Sequence, residues 1–231
     1  MKKITVLTDL LEANDVMAQE NRRIFDRNRI LTLNLMSSPG AGKTTVLEKT
    51  VEKLGKKYRL GVIEGDVATS NDAKRLAKYK IPVVQITTET FGGACHLDAN
   101  MIKKALEKID LTKVDILFIE NIGNLICPAE FDLGEHKKVI VLSLTEGEDK
   151  PSKYPVVFRN ADLLLVNKVD LLPFLDLDLS LLSRNAKKIN PRLPSIKLSA
   201  KTEEGFSDWI NWLTKQYNAK SKKRIASCGR P

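Results

Sequence analysis

Long apolar runs are absent from this chain of 231 residues. None approaches the roughly 20 residues that cross a bilayer as a helix, so a membrane-embedded function is not expected. The opening Met1-Lys2-Lys3-Ile4 has no apolar signal core and no cleavage site, so export is not expected either. Cysteine is scarce: three residues in no paired framework exclude a disulfide scaffold and suit a reducing cytoplasm. Aromatic residues make up 6%, and none lies among the basic residues of 219–231, so no stacking platform for bases is visible there. There is no internal repeat. Acid is missing from that last segment, where Lys220, Lys222, Lys223, Arg224 and Arg230 supply five of the nine excess positive charges. The segment reads as a disordered, solvated basic tail, ahead of the alternative of a nucleic-acid contact.

What is present is a phosphate loop. Residues 37–44, Ser-Ser-Pro-Gly-Ala-Gly-Lys-Thr, follow an apolar run and open a helical pattern. Glycines let backbone N–H groups curl around a pyrophosphate, and a helix N-terminus adds positive partial charge. Gly40, Ala41, Gly42, Lys43, Thr44 and Thr45 are the candidate phosphate contacts, with Lys43 reaching the β/γ-phosphates and the Thr44 hydroxyl on Mg²⁺. The first position of the pattern is Ser37 where glycine is usual. Downstream, Asn167-Lys168-Val169-Asp170 and Ser199-Ala200-Lys201 each follow a strand-like run. The Asp170 carboxylate can accept from guanine N1–H and N2–H₂, a donor pair adenine lacks, which selects GTP. The Lys168 stem can cover the base, and a backbone N–H of 199–201 can meet guanine O6.

Hydrophobic content of 42% and charged content of 29% suit one globular α/β domain. Strand-like runs at 31–36, 60–63, 83–87, 114–119, 139–144, 162–166 and 196–198 alternate with helical patterns at 45–54, 71–79, 96–109, 177–189 and 204–217. That alternation predicts a mainly parallel sheet flanked by helices on both faces, with ligands at the strand C-terminal ends. Residues 1–29 read as a helical extension, apolar at Val6, Leu10, Leu11, Val16 and Ile24, docked on the domain or on a second copy. The domain spans 30–218 and the tail 219–231.

Two acidic strand ends lie between the loop and the base-reading motif. Glu64-Gly65-Asp66 is followed by Asp72, and Glu120 opens Glu-Asn-Ile-Gly-Asn at 120–124. A carboxylate there can hold Mg²⁺ or its water; Glu120 and Asp72 are the candidates beside Thr44. Asp72, ahead of Asp66, is the candidate to orient the attacking water. Gly123 gives the backbone freedom to approach a γ-phosphate.

Cys95 and His96 stand ahead of an amphipathic pattern whose helix N-terminus would favour a thiolate. Cys127 follows the second acidic segment by three residues. Thiolate with imidazole suits Zn²⁺ or Ni²⁺, although buried cysteines are more often small apolar residues. A symmetric dimer could complete the three donors. His136 reads as a surface histidine and Cys228 as a free thiol in the tail.

Together the segments 37–45, 64–72, 95–99 (Cys-His-Leu-Asp-Ala), 120–134, 167–170 and 199–201 make the chain resemble the HypB family, nickel-incorporation GTPases of the SIMIBI class of P-loop proteins. The resemblance implies a cytoplasmic GTPase and metallochaperone that forms a GTP-dependent homodimer and hydrolyses GTP slowly. It implies nickel delivery to the NiFe-hydrogenase large-subunit precursor beside a small zinc-binding HypA-like partner. It carries over Cys95, His96 and Cys127 as ligands. Some members bear an N-terminal Cys-rich motif or a His-rich stretch; this chain has neither, so tight N-terminal binding and nickel storage are not expected. Asn100 stands where a histidine could have added a ligand for a neighbouring metal. Adjacent Cys95-His96 argues against the urease branch, which would show Cys-Pro-His. Intact Lys43, Thr44 and Asp170 argue against a storage protein on a vestigial nucleotide fold. An RNA-associated GTPase is suggested by the basic tail alone. The sequence further suggests a gate: a γ-phosphate that holds 120–124 also fixes Cys127.

Overall fold

Parallel strands cannot be joined by tight turns, so each must return through a crossover before pairing again. The computed structural model describes residues 6–89 and 94–228, with side chains for 9–89 and 94–222. Val6, Lys223, Arg224 and Cys228 are therefore outside the described side chains, and residues 90–93 and Arg230 are outside the described residues. Among the latter, seven strands form: β1 (Leu31–Met36), β2 (Leu60–Asp66), β3 (Val83–Thr87), β4 (Ile116–Glu120), β5 (Lys137–Ser143), β6 (Leu163–Asn167) and β7 (Ser195–Lys197). They pair in parallel in the order β3-β2-β4-β1-β5-β6-β7. With β1 central, the phosphate loop leaves the middle of the sheet and the base-reading motif leaves β6 at the same edge.

Eight helices cover the sheet among the described residues: α1 (Val6–Arg27), α2 (Lys43–Leu54), α3 (Asn71–Ala77), α4 (Ala99–Leu106), α5 (Lys150–Lys153), α6 (Pro155–Asn160), α7 (Leu179–Ile189) and α8 (Phe206–Cys228). Side chains alternate across each strand, so both faces need cover. Leu31, Leu33 and Leu35 of β1 pack with Val46 and Leu47 of α2 and with Phe206, Trp209 and Leu213 of α8. Trp209 is fully buried and donates to Thr50 Oγ1 at 2.8 Å; truncations of such residues cost about 3–5 kcal/mol. On the other face, Ile140 and Leu142 meet Phe158 of α6 and Leu182 of α7, while Leu117 and Ile119 meet Ile102 of α4 and Phe25 of α1. Between those two groups β1 presents Thr32 and Asn34, both buried and polar.

Four expectations are decided or change. First, of the two dockings expected for the helical extension, α1 takes the one on its own domain, since Phe25 is fully buried in the core. Second, the helix expected from residue 96 starts at Ala99, because Asp98 caps it and accepts the Met101 N–H at 2.7 Å. Cys95 thus sits on a linker a turn ahead of the helix end. Third, the tail expected to be disordered from 219 is helical as far as Cys228, since α8 continues through the boundary and Lys220 reaches back to Asp26. Fourth, His136 is not a surface residue. Its side chain is 13% exposed, its Nδ1 accepts the Thr32 N–H at 3.1 Å, and its Nε2 lies 3.0 Å from Asp26 Oδ1. Burial pushes its pKa down to about 4.

Candidate functional site

The loop between β1 and α2 turns through two left-handed residues, Gly40 at φ 73° and Gly42 at φ 96°. A Cβ on Gly42 would lie 2.5 Å from Asn167 Nδ2, so both the angle and the space demand glycine. Asn167 donates to Ala41 O at 2.9 Å and accepts the Ala200 N–H at 3.1 Å. One side chain thereby staples the phosphate loop to the 199–201 loop. Lys168 donates to Gly40 O at 2.8 Å, its stem lying along the same loop. Ser199 Oγ accepts from the N–H groups of Lys201 and Thr202 at 3.2 and 3.0 Å, which shapes the loop that sequence reasoning assigned to guanine O6. The Ala200 and Lys201 N–H groups are both engaged within the protein. Asp170 Oδ1 is buried without a partner.

The strand ends make the floor of a cavity of about 520 Å³ lined by the phosphate loop, Lys43, Thr44, Thr45, Asp66, Asp72 and Glu120. Lys43 Nζ donates to Ser37 Oγ at 2.7 Å, and Ser37 also bridges Asn124 in an antiparallel pair. The departure from glycine at position 37 therefore supplies an acceptor for the lysine. Thr44 Oγ1 donates to Glu120 Oε1 at 2.7 Å. Asp66 accepts from Thr69 Oγ1. Asp72 is held by Arg75 at 3.0 Å, and Arg75 also donates to Thr45 Oγ1 at 3.1 Å and Glu48 Oε1 at 3.2 Å.

Two charged residues of this cavity were given no role from sequence: Arg75, and Glu64, which was read only as the start of an acidic strand end. Glu64 is the register partner of Glu120 on the neighbouring strand. Its signal was its position one residue before Gly65-Asp66, in phase with Asp66 along β2. Burial, then the neighbouring Glu120 charge, pushes the Glu64 pKa up to about 8. Burial raises Glu120 to about 7, opposed by Lys43 and the Thr44 hydroxyl. Burial also lowers the Lys43 pKa. The Oε2 atoms of both carboxylates are buried without a partner. Orphaned acceptors beside a backbone cradle fit a phosphate ligand with a divalent cation.

The second site lies beyond residues 120–124. The ligand atoms of Cys95, His96 and Cys127 fall within 4.8 Å of one another, with the two sulfurs 2.9 Å apart. His96 stacks on Phe131 with centroids 4.0 Å apart, and its Nδ1 is buried without a partner. Burial lowers the His96 pKa, which favours the neutral imidazole that binds metal. Contact with Cys95, then burial, raises the Cys127 thiol. This donor set fits a borderline transition ion, which would displace the thiol proton. Asn100 is exposed on α4. Asn124 joins the two sites: it pairs with Ser37 under the phosphate loop and donates to Cys95 O at 3.3 Å. Gly123 packs against Pro39, where a Cβ would meet Cα at 3.0 Å.

The sequence profile of the CobW/HypB/UreG nucleotide-binding domain matches residues 31–197. The hydrogenase maturation factor HypB of Azotobacter chroococcum mcd 1 is 48% identical over 224 residues, 97% of this chain and 72% of that protein. The crystal structure of HypB from Archaeoglobus fulgidus superposes with a TM-score of 0.83 at 39% identity, covering 89% of this chain and 99% of that one. HypB from Helicobacter pylori in complex with nickel superposes at 0.85 with 37% identity, over 90% and 96% of the two chains.

Proposed function

The chain belongs to the HypB family of hydrogenase maturation factors, and from that premise we propose that it is a GTP-hydrolysing metallochaperone whose Cys95–His96–Cys127 cluster takes up nickel, or zinc, under the control of bound nucleotide. The observation that carries this reading is the double attachment of Asn124, to Ser37 on one side and to the Cys95 carbonyl on the other.

Each residue then has a task. The orphaned Asp170 oxygen accepts from the guanine edge, and Lys168 covers the base. The N–H groups of 40–45 and the Lys43 ammonium hold the phosphates. Thr44, Glu120 and Asp72 would hold Mg²⁺, which when bound neutralises charge developing on the phosphoryl oxygens. Glu64 and Glu120 share a dry floor on which a cation replaces protons. Asp72, fixed by Arg75, orients the attacking water, with Asp66 as the alternative. Hydrolysis removes the contact that holds 120–124, and Asn124 passes the change to the linker carrying Cys95. The segment ending at Cys127 moves with it. Two arrangements with different cargo affinity make a switch that both ligands bias.

Three donors leave one position of a tetrahedral site open. A second copy of the chain in a GTP-dependent homodimer fills it, or a HypA-like partner receives the ion there. The hydrogenase large-subunit precursor is the destination, in the cytoplasm, without a role for nucleic acid. The test is nickel titration with metal analysis and oligomer mass, each with GDP and with a nonhydrolysable GTP analogue. Affinities that differ between the two states, with a dimer in the GTP form, support the reading. Equal affinities would remove the gate.

A further inference from the structure

The cluster draws its donors from two separate segments, one carrying Cys95 and His96 and one carrying Cys127. One segment is a loop and the other a single 3-10 turn over Cys127–Ala129, and their spacing must be set by something outside them. The stripe Asn14, Ala18, Asn21 and Phe25 on α1, at intervals of four, three and four, is buried throughout. Helical spacing of this kind puts all four on one face. A face that packs on a core needs no amide, and buried amides destabilise unless they are paired. These two are paired to both segments. Asn14 Oδ1 accepts the Ala99 N–H at 2.9 Å, while its Nδ2 donates to Asp132 O at 2.8 Å. Asn21 Nδ2 donates to Ala99 O at 2.7 Å and to Leu133 O at 3.2 Å. Asn21 does so with its own carbonyl oxygen left buried and unpartnered, a cost that an apolar residue would not incur.

The contact is close along its length. Gly134 has φ 87°, and a Cβ there would lie 2.5 Å from Ala18 O, so the backbone of 132–135 presses directly on α1. Arg22 donates to Gly134 O at 2.6 Å and to Glu135 O. Beneath, Glu135 accepts from Leu133 N at 2.8 Å and from Asn34 at 3.2 Å. Asn34 in turn accepts from Asn121, whose Oδ1 takes the Leu97 N–H at 3.3 Å. The polar residue in the middle of β1 is explained by this chain of contacts.

We propose that α1 is a structural member of the metal site: Asn14 and Asn21, each bonded to both ligand-bearing segments, set the distance between Cys95–His96 and Cys127 and act as positioning residues for the ion. The proposal rests on the cluster being a metal site. Outer partners that orient ligands typically change metal affinity 10–100-fold.

The test uses Co²⁺ as a spectroscopic probe on the full chain, with GDP affinity measured beside it. Asn14→Asp keeps the acceptor for Ala99, at a helix N-terminus that favours the charge, and turns the donor to Asp132 O into an acceptor that repels it. It should weaken Co²⁺ binding about tenfold and shift the d–d bands, with GDP affinity within about twofold of wild type. Arg22→Gln, at the rim of the same contact, should give a smaller loss of about threefold and decides alone if Asn14→Asp fails to fold. Wild-type bands and affinity in the folded variants overturn the brace. Wild-type protein without thiolate-to-cobalt charge transfer overturns the metal site itself, and the brace with it.

Discussion

The phosphate cavity and the Cys–His cluster meet at Asn124, yet they are built in opposite ways. The floor of the cavity stands on strand ends and the first turn of a helix. Lys43, Thr44, Glu64 and Glu120 are 8%, 5%, 2% and 3% exposed. The cluster stands on a loop and a single 3-10 turn, with Cys95 exposed and His96 and Cys127 half-buried. Phosphoryl transfer needs fixed charges in a dry place, where they interact most strongly. On the proposed reading a carrier must surrender its ion, so its ligands have to be reachable by a partner. The cluster cannot take its rigidity from the sheet, and on the same reading borrows it from α1.

If that division of labour holds, each half can be disabled alone. The largest effect is expected from Lys43→Met, which removes the cation from the phosphates. GTP hydrolysis, followed by phosphate release, should fall by about 10²–10³-fold while Co²⁺ binding at the cluster stays at the wild-type level. Loss of both would mean that the halves are one unit. Next comes Cys127→Ala, which takes away a direct donor. Nickel affinity by competition titration should drop on the order of 10²-fold, the upper end for ligand-shell changes, with GDP affinity within about twofold. A Cys127→Ala protein that still binds nickel tightly would disqualify the assigned ligands.

The smallest effects lie in the pH dependence of stability. Glu64 and Glu120 are raised to about 8 and about 7 from ordinary values near 4.5. Their contribution is therefore full below the unfolded pKa and lost as pH rises through 7–8. His136, lowered to about 4, behaves oppositely: its contribution is present above about 6.5 and lost on acidification, on the order of 2–3 kcal/mol. Between about pH 4.5 and 6.5 the two carboxyls outweigh the single histidine, so thermal melts of nucleotide-free protein should decline as pH rises from about 4.5 to 8. Mg²⁺ with GDP should flatten that decline, whereas His136→Gln should steepen it below about pH 6.5 by the same amount with and without nucleotide, since His136 lies at the opposite edge of the sheet. A His136→Gln difference that responds to nucleotide would break the separation.

The phosphate half was legible because its chemistry is contiguous in the chain: Ser37 to Thr44 is a single loop, and Asn167 to Asp170 a single strand end. The cluster was legible only as residue types, because Cys95 and Cys127 are brought together by the crossover through α4 and β4. What hid from the sequence was polar and buried. Asn34 breaks no strand pattern, Asn14 and Asn21 look like solvated residues on a charged helix, and Glu64 was overshadowed by Asp66. His136 sits among charged neighbours in sequence, and in space it takes the Thr32 N–H on one side and meets Asp26 and Lys220 on the other. The start of α4 was misplaced because Leu97 fits the helical period, whereas Asp98 ends the run by capping it. The short helices α5 and α6 carry Pro151 and Pro155 in their first turns, where proline is tolerated but reads as a breaker.

The sulfurs of Cys95 and Cys127 lie 2.9 Å apart. Two thiols at that range are one two-electron oxidation from a covalent link that would consume both donors at once. On the proposed reading, cargo protects against this, since an ion held between the sulfurs keeps them apart and electronically engaged. The empty carrier is then the oxygen-sensitive one, and titrations begun from air-exposed apoprotein would fall short of the true capacity.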